Sequence, residues 1–221
     1  MNLLVLLGPT ASGKTHLAVQ AARQLGGEII SADSRQVYRG LDIGSGKDLE
    51  EYGSTPYHLI DIADPGYEFS LFDFAQAFSH AFSEIKSRNR LPILCGGTGL
   101  YLDAVLQGYE LVKVGENKVL RQELEPLPLA ALQERLRSLR PEQHNTTDLE
   151  DRSRLIRAIE IAVGEELATA RPLERPDLNP RIFGLRWPRE LLRKRITQRL
   201  RQRLEQGMIE EVEGLHKAGV S

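Results

Sequence analysis

The sequence has one cysteine, Cys95, so no internal disulfide can form. It shows no secretory signal and no long apolar run, which leaves no route to a membrane and places the expected location in the cytoplasm. Excess charge of either sign is also missing. The 29 Lys and Arg stand against 31 Asp and Glu, a formal net charge of −2, which by itself argues for no partner. Internal repeats and low-complexity tracts are absent too. What remains is 221 residues with 41% hydrophobic content, enough for one sizeable core with a small appended or inserted subdomain.

The distribution of charge says more than its total. Residues 1–80 carry five Lys or Arg against ten Asp or Glu, whereas residues 181–203 carry nine Lys or Arg and a single acid, Glu190. That basic stretch suits an anion or a polyanion. Hydrophobic periodicity then outlines the fold. Residues 2–7 form a nearly continuous apolar run before Gly8, as in a strand buried on both faces of a parallel sheet, and residues 13–25 read as its crossover helix. Residues 28–31, 57–62 and 91–95 read as further strands and residues 70–86 as a helix with Phe72, Phe74 and Phe78 among its apolar positions. This alternation predicts an α/β fold, a P-loop NTPase-like parallel sheet flanked by helices, with residues 1–107 as its first part. In residues 108–147 the glycine-punctuated strands stop, and a short helical insertion is expected. Residues 148–221 should supply the helical remainder, with a break at 171–180 and a short apolar piece at 182–185.

Residues 8–15 read GPTASGKT. Gly8, Gly13, Lys14 and Thr15 fit G-x-x-x-x-G-K-[ST], placed between an expected strand and an expected helix. The whole stretch, with Pro9, Thr10, Ala11 and Ser12, is the candidate phosphate or diphosphate site. Its glycines let main-chain amides converge, the helix N-terminus adds positive potential, Lys14 reaches a terminal phosphate, and the Thr15 hydroxyl can ligate Mg²⁺.

An ATP-hydrolysing enzyme usually adds a second acid to hold the metal and order water. Here the acid after the second strand is Asp33, followed by Ser34, Arg35, Gln36 and Tyr38, more donors and acceptors than a metal requires. Such a group either reads a nucleobase edge and takes a proton from its amine, or is a capped, solvated loop. Both readings stand on these residues alone.

Taken in order and spacing, GPTASGKT, SADSRQVYRGLDIGSGK (31–47), YHLIDI (57–62) and PILCGGTGLYLDAV (92–105) resemble the tRNA dimethylallyltransferases, also called tRNA isopentenyltransferases. RSRLIRAIEI (152–161) and RITQRLRQRLEQGMIEEV (195–212) are similar to that family's two arginine-bearing helices, so the resemblance spans nearly the whole chain. It implies transfer of a five-carbon group from dimethylallyl diphosphate to the exocyclic N6 amine of the adenine 3′ of a tRNA anticodon, with Mg²⁺ as cofactor and diphosphate released. In such an enzyme the phosphate loop holds a leaving group, so no water-activating acid is needed. The resemblance makes Asp33 the general base and has Thr10 orient the reacting groups. It assigns Asp33, Ser34, Arg35, Gln36, Thr98, Ser153, Arg154 and Arg157 to the tRNA anticodon loop, and Arg195 or Arg199 to diphosphate. A monomer is expected.

Other readings stay open. The strand-to-helix connection at Thr98 has a purely structural alternative, and Tyr101 either stacks on a base or packs. Leu192, Ile196, Leu200 and Leu204 recur every fourth residue as an apolar stripe, flanked by Arg195, Arg199 and Arg203, which would lie at the border of the core as a phosphate clamp or as solvent-directed arginines. Where the family usually reads Thr-Ala-Lys-Pro the chain has Ser45, Gly46, Lys47 and Asp48, and where it reads Ile-His-Pro-Asn-Asp the chain has HNTTD at residues 144–148. Its insertion looks short, and a further C-terminal piece would be expected after Ser221. The alternatives to the tRNA enzyme are a transferase acting on free adenine nucleotides, a small-molecule P-loop kinase, and a non-catalytic RNA-binding remnant.

Overall fold

The computed structural model describes residues 1–140, 149–167 and 173–220; the departure at residues 144–148 lies outside them. Two compact units are present, one of Met1–Tyr109 with Glu174–Ser221 and the other of Glu110–Leu173.

The first unit is built on a five-stranded, wholly parallel sheet in the order β3-β2-β4-β1-β5. Its strands are β1 (Leu3–Leu7), β2 (Gly27–Ala32), β3 (Tyr57–His58), β4 (Leu91–Gly96) and β5 (Pro180–Gly184). Continuous apolar runs form β1 and β4 because both strand faces are covered. Leu3 and Val5 point to one face, where Ile30, Leu94, Phe74, Phe78 and Tyr101 complete a core under α2 (Leu71–Ser87) and α3 (Gly99–Gln107). Leu4 and Leu6 point to the other, packing with Ile29, Ile93, Cys95 and the Ala18, Val19 and Ala22 face of α1 (Lys14–Leu25). Cys95 is thus a core residue whose thiol burial pushes up to about 12. Tyr101 is buried and stacks on Phe74 with centroids 4.0 Å apart, so it packs rather than presenting a ring to a base.

The expected strand over residues 57–62 pairs with the sheet only at Tyr57 and His58. Leu59 and Asp61 take positive φ, and the chain turns away to donate from Asp61 and Ile62 to the carbonyls of Gln36 and Val37. After β5 come α7 (Arg189–Glu205) and α8 (Met208–Lys217). The apolar stripe of α7, expected to pack with arginines at its border, does not enter the core: Ile196, Leu200 and Leu204 are exposed. The helix rests instead on its arginine flank, because loop carbonyls and Asp48 lie on that side as hydrogen-bond acceptors.

The second unit holds α4 (Lys118–Leu124), α5 (Leu129–Leu139) and α6 (Arg152–Leu167). The insertion expected over 108–147 therefore extends to Leu173, because α6 buries Leu155, Ile156 and Ile159 against Leu120, Leu124, Leu132 and Leu136. Beside this core Glu160 is buried and accepts from the Asn117 amide, from Arg121 at 3.0 and 3.1 Å, and from Arg157. Burial alone would raise the Glu160 pKa; the bonds from Arg121, Asn117 and Arg157 outweigh it and hold the carboxyl below its ordinary value.

Candidate active site

Within the first unit the carboxyl ends of β1, β2, β4 and β5 share one edge of the sheet, where open parallel α/β sheets bind their ligands. After β1, Ala11 and Gly13 take φ of 62° and 87°, and this left-handed turn delivers the chain into α1 at Lys14. Glycine is the residue that adopts such a φ at little cost. The helix starts with no side-chain cap and no acid in its first turn, so its leading amides favour an anionic ligand. Ser12 Oγ is buried and lacks a partner, and a phosphate oxygen is an acceptor of the kind that would complete it. Pro9 and Thr10 stand exposed at the tip, and Thr15 is half-buried at the start of α1.

Lys14 Nζ donates to the Pro9 carbonyl at 2.8 Å. Burial pushes its pKa down; the negative charge of Asp33 opposes that shift and Arg199 adds to it. β4 comes close beneath: a Cβ at Gly97 would lie 3.2 Å from the Gly8 carbonyl and 3.5 Å from Lys14 Nζ.

The outside of the loop is fastened from beyond β5. Trp187 Nε1 donates to the Ser12 carbonyl at 3.0 Å and Arg195 Nε to the Ala11 carbonyl at 2.7 Å. The Arg195 guanidinium also lies over the Trp187 ring, 4.6 Å from its centroid, a cation–π contact that couples the two. Arg199 pairs with Asp48, and Arg203 lies over Gly46, where its guanidinium occupies the space a Cβ would take.

After β2, Asp33 Oδ1 accepts from the Arg35 amide at 2.9 Å, which orients the carboxylate at the head of the loop. The Ser34 amide donates to Thr98 Oγ1 at 3.0 Å, so the connections after β2 and β4 are joined side by side. Thr98 stands at the N-cap of α3, but its hydroxyl serves Ser34 and not the helix. Arg35 is exposed, whereas Gln36 is buried, its amide held by the Ser31 hydroxyl at 2.9 Å and the Gly46 carbonyl at 3.1 Å.

One edge thus gathers the phosphate loop, Asp33, Ser34, Thr98, Arg195 and Arg199. Ser153, Arg154 and Arg157 belong to the second unit. There Asp151 accepts from the Ser153 hydroxyl at 2.7 Å and the Arg154 amide at 3.0 Å at the head of α6, and Arg157 serves Glu160 and the Val114 carbonyl. Sequence reasoning missed Trp187 as a site residue. Its bond to Ser12 spans 175 positions, and a single tryptophan in a connection carries no local signal.

Sheet order and loop together are those of a P-loop-like α/β protein. The chain belongs to the IPP transferase family, whose model matches residues 36–221. It is 63% identical over 220 residues to tRNA dimethylallyltransferase 2 of Syntrophotalea carbinolica, covering 100% of this chain and 74% of that protein. Its structure resembles that of the tRNA isopentenylpyrophosphate transferase of Bacillus halodurans with a TM-score of 0.68 at 39% identity, over 99% of this chain and 71% of that one. A eukaryotic dimethylallyltransferase acting on tRNA shares the fold with a TM-score of 0.76 at 23% identity, over 98% of this chain and 56% of that one.

Proposed function

We propose that this protein transfers the dimethylallyl group of dimethylallyl diphosphate to the N6 amine of the adenine 3′ of a tRNA anticodon. Relatives of high identity named for tRNA dimethylallyl transfer support the reaction, and the observation that carries it to these residues is that the phosphate loop with Lys14 follows β1 and Asp33 follows β2 at the same carboxyl edge of one parallel sheet. Each end of the reaction needs one of them. The bond from the allylic carbon to N6 forms as the bond from that carbon to the diphosphate oxygen breaks. Lys14, the α1 amides and Ser12 Oγ receive the departing diphosphate, while Asp33 takes the proton that the amine loses. Thr10, exposed at the loop tip, orients the reacting groups; Ser34, Arg35 and Thr98 face the anticodon loop.

A Mg²⁺ ion bound with the diphosphate would take the Thr15 hydroxyl, at the start of α1 beside the phosphate loop, as its protein ligand. Mg²⁺ characteristically binds through few protein ligands plus phosphates, and among the described residues there is no cluster of His, Cys, Asp and Glu that could hold a metal ion. Bound there, it would neutralise charge on the leaving diphosphate. Arg195 and Arg199 lie beside the same loop as further cations. No described helix is long and apolar enough to cross a membrane; a cytoplasmic monomer is our reading.

The test is incubation with dimethylallyl diphosphate, Mg²⁺ and bulk tRNA, followed by mass analysis of the nucleosides. Adenosine carrying one added dimethylallyl group supports the proposal. Modification of free adenine nucleotides but not tRNA would move the reading to a nucleotide transferase, and phosphoryl transfer from labelled ATP would move it to a kinase.

A further inference from the structure

The loop that begins at Asp33 runs on to Asp48, and its far end is held by α8. Glu211, near the start of that helix, accepts three consecutive main-chain amides. Asp42 N and Ile43 N donate to Oε2 at 2.8 and 2.7 Å, and Gly44 N donates to Oε1 at 2.9 Å. Successive amides converging on one anion form a nest, the geometry by which main chain takes phosphate. Here a carboxylate of the protein itself fills it. The fit is local and close: a Cβ at Gly207, in the turn between α7 and α8, would lie 4.0 Å from Ile43 Cδ1, and one at Gly40 would lie 3.9 Å from Leu215 Cδ2.

From the nest the bonding continues to the head of the loop. The Gly46 amide donates to the Asp42 and Ile43 carbonyls, both at 3.1 Å. The Gly46 carbonyl in turn accepts Gln36 Nε2 at 3.1 Å, and Gln36 Oε1 accepts the Ser31 hydroxyl at 2.9 Å, two residues before Asp33. A second branch runs through Lys47, which is buried. Its Nζ pairs with Asp42 and Asp61 and donates to the Tyr38 carbonyl at 2.7 Å. Gly46 stands where the resembled family pattern usually has Ala, whereas Lys47 keeps that pattern's Lys. In this chain both are tied to the Glu211 nest.

We propose that Glu211 is a positioning residue. By filling the nest at residues 42–44 it makes α8 the clamp that sets residues 33–36, and so governs binding of the tRNA acceptor without touching it. The acceptor part of this statement rests on the proposed function; the clamp itself does not. Bonds to a charged group are the strong ones, and loss of one corresponds to roughly a ten- to a hundredfold effect.

Three measurements on the full chain test it. Residue-resolved amide exchange of the parent and Glu211→Gln should show the amides of Asp42, Ile43 and Gly44 exchanging at least about tenfold faster in the variant, with those of β1 and β4 unchanged. Transfer kinetics should show the KM for tRNA rising roughly ten- to a hundredfold, more than kcat falls, while affinity for inorganic diphosphate stays within about twofold. Finally, formate added to Glu211→Ala should refill the nest and restore both the exchange protection and the KM. Unchanged exchange at residues 42–44 in both variants overturns the proposal. So does a general loss of protection in β1 and β4 that formate does not reverse. If the parent transfers nothing to tRNA, the proposed function fails while the exchange and formate arms still decide the clamp.

Discussion

Replacing Arg195 by alanine removes two fastenings from the outside of the phosphate loop, the bond to the Ala11 carbonyl and the stack on Trp187. A hydrogen bond from a charged donor contributes about 1.5–3 kcal/mol, and a cation–π contact at a partly exposed site about 0.5–1 kcal/mol. If all of this serves loop order needed for binding, diphosphate affinity falls by about 2–4 kcal/mol, roughly thirtyfold to a thousandfold, as the upper bound. Trp187→Phe keeps a ring beneath the guanidinium but loses the bond to the Ser12 carbonyl, a neutral pair of about 0.5–1.5 kcal/mol, so a loss of roughly two- to tenfold is expected. Because the two side chains touch, Arg195→Ala with Trp187→Ala should lose less than the sum of the single changes. Calorimetric titration with inorganic diphosphate and Mg²⁺ measures the parent and each of these variants, Trp187→Ala alone included. In the parent, Trp187 is the only tryptophan, so its fluorescence reports the same event independently. Arg195→Ala binding diphosphate as tightly as the parent would refute the idea that the loop depends on these fastenings.

Lys14→Ala should weaken binding of the prenyl donor by roughly ten- to a hundredfold and that of tRNA far less, as judged by parallel titrations; equal weakening would place Lys14 outside the diphosphate site. Gly96→Ala would set a Cβ 2.2 Å from the Ala32 carbonyl oxygen and push β2 and β4 apart, so urea unfolding should show a loss of about 1–3 kcal/mol or more. Glu160 is held below its ordinary pKa in the folded state, so its contribution is complete above the unfolded carboxyl value, near 4.3, and is lost as pH falls through the lower folded value. Amide exchange of α4–α6 against pH should show that acid loss, and Glu160→Gln should remove this pH dependence; an unchanged acid profile in the variant would contradict it.

The parts of the molecule that sequence made legible are those specified over short distances. β1, the phosphate loop and the start of α1 form one contiguous stretch whose glycines and apolar run each have a local cause. The join between Ser34 and Thr98 crosses 64 positions and rests on strand order, which periodicity does not encode. The spacing of Leu192, Ile196, Leu200 and Leu204 shows that they share a face of α7, but not which face docks. Loop carbonyls and Asp48 drew the arginine side inward. Likewise the apolar positions of α6 announce burial without naming what they pack against, so its grouping with α4 and α5 is not legible in them. The Gln36 amide suits base reading and main-chain bonding equally, so the sequence does not separate the two. Its partners, Ser31 and Gly46, are supplied by the folding back of the loop, which residue type and spacing do not encode.

The central claim is that one edge of the sheet holds the leaving diphosphate while Asp33 takes the proton from the attacking amine. Asp33→Asn separates the two most directly, since it keeps the side-chain size and one accepting oxygen for the Arg35 amide but loses the base. The measurement is the single-turnover rate of dimethylallyl transfer to tRNA at saturating donor, with diphosphate affinity determined on the same preparation. The account predicts a rate lower by roughly 10²- to 10⁴-fold with affinity for diphosphate preserved. A rate near that of the parent would contradict it.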